Sequence, residues 1–211
     1  MRVVALEEHF TVPDLVQRID PNAISRRGFR SRRPPASGPN PVELLPEIGE
    51  RRLQSMDAAG ITMQVLSNSG PGPDLVPGPD GIGIARAMND HLAAVIARHP
   101  ERFAGFAVLP MQDAEAAIAE FVRAVRDLRF VGALINGTTE GRFLDHPSYD
   151  AMSIRTLRPN QFEMPISLIC HRAPAACSKA PDGAGIRRRR FTYCALCFPA
   201  RSIGIRDSNS S

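Results

Sequence analysis

Near the start of the chain, Glu7-Glu8-His9 follows the short apolar run Val3 to Leu6. The run is β-branched and apolar, the pattern of a buried strand. Alternate side chains share a face of a strand, so Glu7 and His9 are expected on one face and Glu8 on the other. A carboxylate and an imidazole at the mouth of a strand both offer lone pairs to a divalent ion such as Zn or Mn. Glu7 and His9 are therefore the candidate metal ligands. By spacing alone the plainer account, a surface acid beside a partly buried histidine, is the commoner one.

The elements that must position this pair are legible downstream. Thr11 to Pro41 is polar and rich in Pro, Arg and Ser, a long excursion over the mouth of the fold that suits a flexible basic loop or a substrate lid. Pro41 to Gly60 reads as one helix, with Pro46 in its first turn, Leu45, Ile48, Leu53 and Met56 on one face, and Gly60 ending it. Ile61 to Ser67 reads as a second strand. Ile84, Met88, Leu92, Val95 and Ile96 form a helical stripe ending near Pro100, and His91 and His99 on that helix read as structural or solvent-facing. Arg102 to Pro110 is a third strand. Asp113 opens a helix carrying Ile118, Phe121, Val122 and Val125 on one face. Val131 to Asn136 is a fourth strand, followed by a loop in which His146 reads as a surface residue. Strands and helices alternating with short gaps imply parallel strands joined by right-handed crossovers, the first half of a barrel.

The wording of these segments carries a resemblance. ALEEHF, RRLQSMDAAGITMQVLSNSGPG, MND…HPERFAGFAVLPMQD and VGALINGTTEGRFLDHPSYDAM resemble the amidohydrolase-related decarboxylases that act on γ-resorcylate and 2,3-dihydroxybenzoate. The resemblance implies an α/β fold: the first four to five strands of a TIM-like (β/α)8 barrel of the metal-dependent hydrolase superfamily. It implies that Glu7 and His9 bind a divalent metal, Zn or Mn. It further implies non-oxidative decarboxylation of a small aromatic carboxylic acid, and a homo-oligomer in full-length members. Relatives of hydrolase type would instead attack an ester or lactone, and a third reading is a non-catalytic fragment. Asn68 stands where relatives often carry a small or apolar residue, and Arg129 where a glycine is common.

After Met152 the resemblance weakens. Residues 153–176 read as a degenerate fifth unit, in which EMPISL restores a strand. Ile169 stands where the family places a metal-binding histidine. His171, two positions on, returns to the same face one strand step further along, and is the displaced candidate for a third ligand. Residues 177–211 show no secondary-structure period and read as an irregular tail. Lys179, the only lysine, and nine arginines face three acidic residues from Ser153 onward, so the basic character of this +4 chain lies wholly there. All four cysteines also lie there. Together with the run Arg187 to Arg190, this points to a frameshifted or misjoined reading frame. Cys194 and Cys197 have the spacing of half a zinc site, but the upstream Cys170, His171 and Cys177 lack the second half's spacing, and accident is the favoured account.

With 211 residues the chain can bury one core, yet a complete barrel takes roughly 250. A half barrel is expected to expose the edge of its last strand and apolar faces made for absent neighbours. The distribution of charge gives no reason to expect nucleic acid. No segment reads as a membrane span or signal peptide, so a cytoplasmic protein is expected.

Overall fold

The computed structural model describes residues 2–26, 40–136, 138–142, 146–152, 167–171 and 193–197. The side chains of Glu7, Pro41, Val42, Asn136, Asp150, Ala151, Met152 and the last two stretches lie outside that description. Four strands follow one another in space as in sequence: β1 (Val4–Phe10), β2 (Met63–Asn68), β3 (Phe103–Ala107) and β4 (Gly132–Asn136). Each is parallel to the next. Between them run α1 (Pro13–Val16), α2 (Pro21–Arg26), α3 (Pro41–Leu44), α4 (Glu50–Ala58), α5 (Gly78–Arg98) and α6 (Ala114–Arg126). This is half of an α/β barrel. Among the described residues no helix is long and apolar enough to cross a membrane.

Two apolar layers distinguish the faces of the sheet. Leu66, Phe103 and Ala133 pack with Leu53 and Met56 of α4, Leu92 of α5 and Phe121 of α6, so this layer lies between strands and helices. Met63, Val65, Ala104, Phe106, Val131 and Leu134 form a second cluster, with Val4 against it, made only of residues on or beside strands. That is the inner face. Period-two alternation along β2 and β3 divides their side chains between the two layers.

The helix expected from Pro41 to Gly60 is two pieces. Pro46 has no N–H to donate, and Glu47 uses its carboxylate differently from a helical residue. It accepts from the Gly49 and Arg52 N–H groups, both at 2.9 Å, and so caps the start of α4. Gly60, at φ 69°, ends α4 as its position suggested. Asp113 caps α6, accepting from the Ala116 N–H at 3.0 Å. Arg129 adopts φ 59°, the left-handed region in which glycine is unstrained. Arg129→Gly is therefore expected to stabilise the chain by about 0.5–1 kcal/mol, the left-handed penalty less the entropy glycine gains on unfolding, read as a higher urea midpoint.

Two further strands are described in the C-terminal part. β5 (Ser167–His171) takes in the last two residues of EMPISL and ends at His171. It does not pair with β4. A strand from the tail, β6 (Tyr193–Cys197), lies between them, antiparallel to both, giving the order β1-β2-β3-β4-β6-β5. Within residues 177–211 the described stretch is this one strand, Tyr193–Cys197. By pairing along Gly132 to Asn136, it occupies the edge of β4 that was expected to be open. On the inner face Val65 and Phe106 are buried.

Candidate functional site at the end of the first strand

Parallel strands of a barrel present their functional side chains at their C-terminal ends. In β1 that end is Glu8-His9-Phe10, aligned with Leu66-Ser67-Asn68 of β2. The register shifts between Ala5 and Glu8, where β1 carries one residue more than β2. This bulge decides which face the histidine takes. Val4 and His9 are an odd number of positions apart, so a regular strand would turn them to opposite faces. With the extra residue, Val4 still packs on the inner cluster and His9 comes beside Ser67, which shares its face with Met63 and Val65.

His9 therefore faces the inner side of the mouth. Its Nδ1 lies 3.0 Å from the Ser67 hydroxyl, which is fully buried. His9 as a residue is exposed, and Nε2 has no partner among the described residues. Glu7 lies in the bulged segment; its side chain is outside the described part. Glu8 faces the other way, toward Arg52 of α4, as alternation from His9 requires.

Arg52 ties this strand end to the helix layer. It donates to the His9 carbonyl at 2.8 Å, to the Glu47 carbonyl at 3.0 Å and to Gln64 Oε1 at 3.4 Å. Burial pulls its guanidinium below the ordinary arginine range, and the carboxylates of Glu8 and Glu47 oppose that shift by favouring the charge. Neither Arg52 nor Ser67 stood out in the sequence. Both occupy the stretch RRLQSMDAAGITMQVLS, but their relation to His9 depends on the bulge and the β1–β2 register.

A second group of residues shapes the ends of β2, β3 and β4. Asn68, Pro73, Asp74, Val108, Leu109, Leu134 and Thr139 line a shallow cleft of about 390 Å³, its open mouth included. Asn68 is 5% exposed; its Nδ2 reaches the Pro71 carbonyl at 3.4 Å, and its Oδ1 is buried with no partner among the described residues. The wall at Val108 is held by Asn89 of α5, which accepts from the Val108 N–H at 2.8 Å and donates to its carbonyl at 2.9 Å. Asn89 also donates to Glu120 Oε1 at 2.7 Å. Glu120 is itself paired with Arg123, whose guanidinium this hydrogen-bonded carboxylate holds above its ordinary range. Tyr149 closes the rim by donating its hydroxyl to the Met111 carbonyl at 2.8 Å, and burial pushes its phenol up.

The remaining histidines fall as read. His91 is exposed, His99 packs edge-on against Phe103, and His146 is exposed with its Nδ1 on Ser148. His171 lies on β5, at the far end of the sheet order from β1, with its side chain outside the described part. Among the described residues no three His, Cys, Asp or Glu side chains gather in a metal-holding group.

Known proteins place this geometry. γ-Resorcylate decarboxylase of Rhizobium radiobacter is 43% identical over 141 residues, covering 65% of this chain and 39% of its own length. A solved structure of 2,6-dihydroxybenzoate decarboxylase complexed with 2,6-dihydroxybenzoate is 39% identical with TM-score 0.56, over 71% of this chain and 45% of that one. The 5-carboxyvanillate decarboxylase of Novosphingobium aromaticivorans, complexed with manganese and 4-hydroxy-3-methoxy-5-nitrobenzoic acid, is 31% identical with TM-score 0.64, over the same shares. The chain spans about 40% of the length of the curated relatives it matches. The sequence model of the amidohydrolase family matches residues 9–173, from the histidine of the first strand through β5. With the half barrel and the strand-end histidine in the same span, the chain belongs to the amidohydrolase family.

Proposed function

We propose that this chain supplies the metal-binding first strand of a non-oxidative decarboxylase for small hydroxylated aromatic acids, with Glu7 and His9 as ligands. The observation that carries the reading is His9: a strand-end imidazole on the inner face, engaged at Nδ1, with no partner for Nε2 among the described residues. The donor set fits a divalent cation, since an imidazole held by the protein at one ring nitrogen can offer the lone pair of the other. A bound divalent ion would supply Lewis acidity toward a carboxylate and a neighbouring ring oxygen. The chain's own part is to orient. Arg52 fixes the His9 carbonyl, and the bulge holds the ring on the inner side, while Glu8 is kept out of the mouth. The relatives' names and bound molecules favour an aromatic carboxylate as the substrate class.

Two protein ligands hold an ion more loosely than the three usual in catalytic zinc sites, so turnover by the 211-residue chain is expected to be low. The test is CO₂ release from dihydroxybenzoates and 5-carboxyvanillate with added Mn²⁺ or Zn²⁺. Slow release that requires metal and vanishes in His9→Ala is expected. Metal-dependent hydrolysis of esters or lactones without CO₂ release would overturn the assignment.

A further inference from the structure

We propose that Ser67 is a positioning residue for this site: its buried hydroxyl holds His9 by Nδ1, so that Nε2 is the nitrogen presented to a divalent cation. The inference rests on the reading of His9 as a ligand and adds to it a residue that acts through His9. Ser67 and His9 are direct cross-strand partners, with Oγ and Nδ1 3.0 Å apart. Ser67 is 0% exposed and sits on a strand paired on both sides, so its hydroxyl has a fixed origin. His9, by contrast, is exposed, and among the described residues Ser67 is the side chain that bonds its ring.

A serine hydroxyl both donates and accepts, so it holds Nδ1 in either neutral tautomer. With a cation on Nε2 the proton must sit on Nδ1, which then donates to Oγ; the contact survives loading with its direction set. Without the hydroxyl, rotation about the Cβ–Cγ bond would let Nδ1 compete as the ligating nitrogen.

Two-bond ¹H–¹⁵N spectra of His9 in the ¹⁵N-labelled 211-residue chain, metal-free and loaded with Zn²⁺, decide the matter. In the wild type, Nε2 is expected to carry the ligated shift and Nδ1 the proton. Ser67→Ala is expected to weaken Zn²⁺ binding about 10–100-fold, the range for losing an outer-shell partner, and to admit Nδ1 ligation. Ser67→Thr, which keeps the hydroxyl, is expected to restore both. Ligation through Nδ1 in the wild type, or equal Zn²⁺ affinity in Ser67→Ala, would overturn the proposal. The metal-free spectra separate it from the metal reading: a changed Nδ1 shift in Ser67→Ala supports the positioning even where Zn²⁺ fails to bind. Identical metal-free spectra overturn it.

Discussion

Asn89→Ala is expected to lower the unfolding free energy by about 3–5 kcal/mol, the cost of leaving buried backbone groups unpaired plus a small cavity. Asn89 is 0% exposed and bonds three atoms: the N–H and carbonyl of Val108 and the Glu120 carboxylate. Alanine leaves both Val108 groups, beyond the end of β3, without that partner, and among the described residues Glu120 then depends on Arg123 and Arg86. Such a loss is a large part of a domain's usual 5–15 kcal/mol. Asn89→Asp distinguishes hydrogen bonding from volume. It keeps the acceptor for Val108 N–H but points a second carboxylate at Glu120 and at a carbonyl, and is expected to be no better than alanine at neutral pH. Urea unfolding measures both, and a shift below about 1 kcal/mol in either would show the network to be dispensable.

The sequence stripe that located α5 passed over Asn89, because it is polar and sits between Met88 and Asp90 on the flank of the apolar face. Its partner Glu120 looked equally like a solvated helix residue. Buried polar pairs of this kind become visible only when α5, α6 and the end of β3 are brought together. The four parallel strands were legible because each is a short apolar run bounded by turn residues, and local composition suffices for that. The break before α4 was not, because it depends on how one carboxylate, Glu47, divides its hydrogen bonds. β6 was not legible either: its pairing partner β4 lies some sixty residues away, and five residues carry too little period to announce a strand. At the site, the strand-end spacing was enough to single out Glu7 and His9. The bulge that turns His9 inward, the Ser67 contact and the Arg52 clamp all depend on register, which no single segment encodes.

The central claim is that the end of the first strand binds a divalent metal. Losing a direct ligand should exceed the roughly 10–100-fold penalty of losing an outer-shell partner. His9→Ala and Glu7→Ala are thus each expected to weaken Mn²⁺ binding by more than about 100-fold, whereas His91→Ala and His146→Ala, both on exposed histidines, leave it unchanged. The chain's spread of acidic side chains makes these controls necessary, since adventitious Mn²⁺ binding would be indifferent to His9. The most direct measurement is an Mn²⁺ titration of the 211-residue chain and these four variants by calorimetry, with electron paramagnetic resonance reporting the free ion. The account predicts one site per chain, lost in His9→Ala and Glu7→Ala alone. Mn²⁺ bound equally well by wild type and His9→Ala, or not bound by the wild type at all, would contradict it.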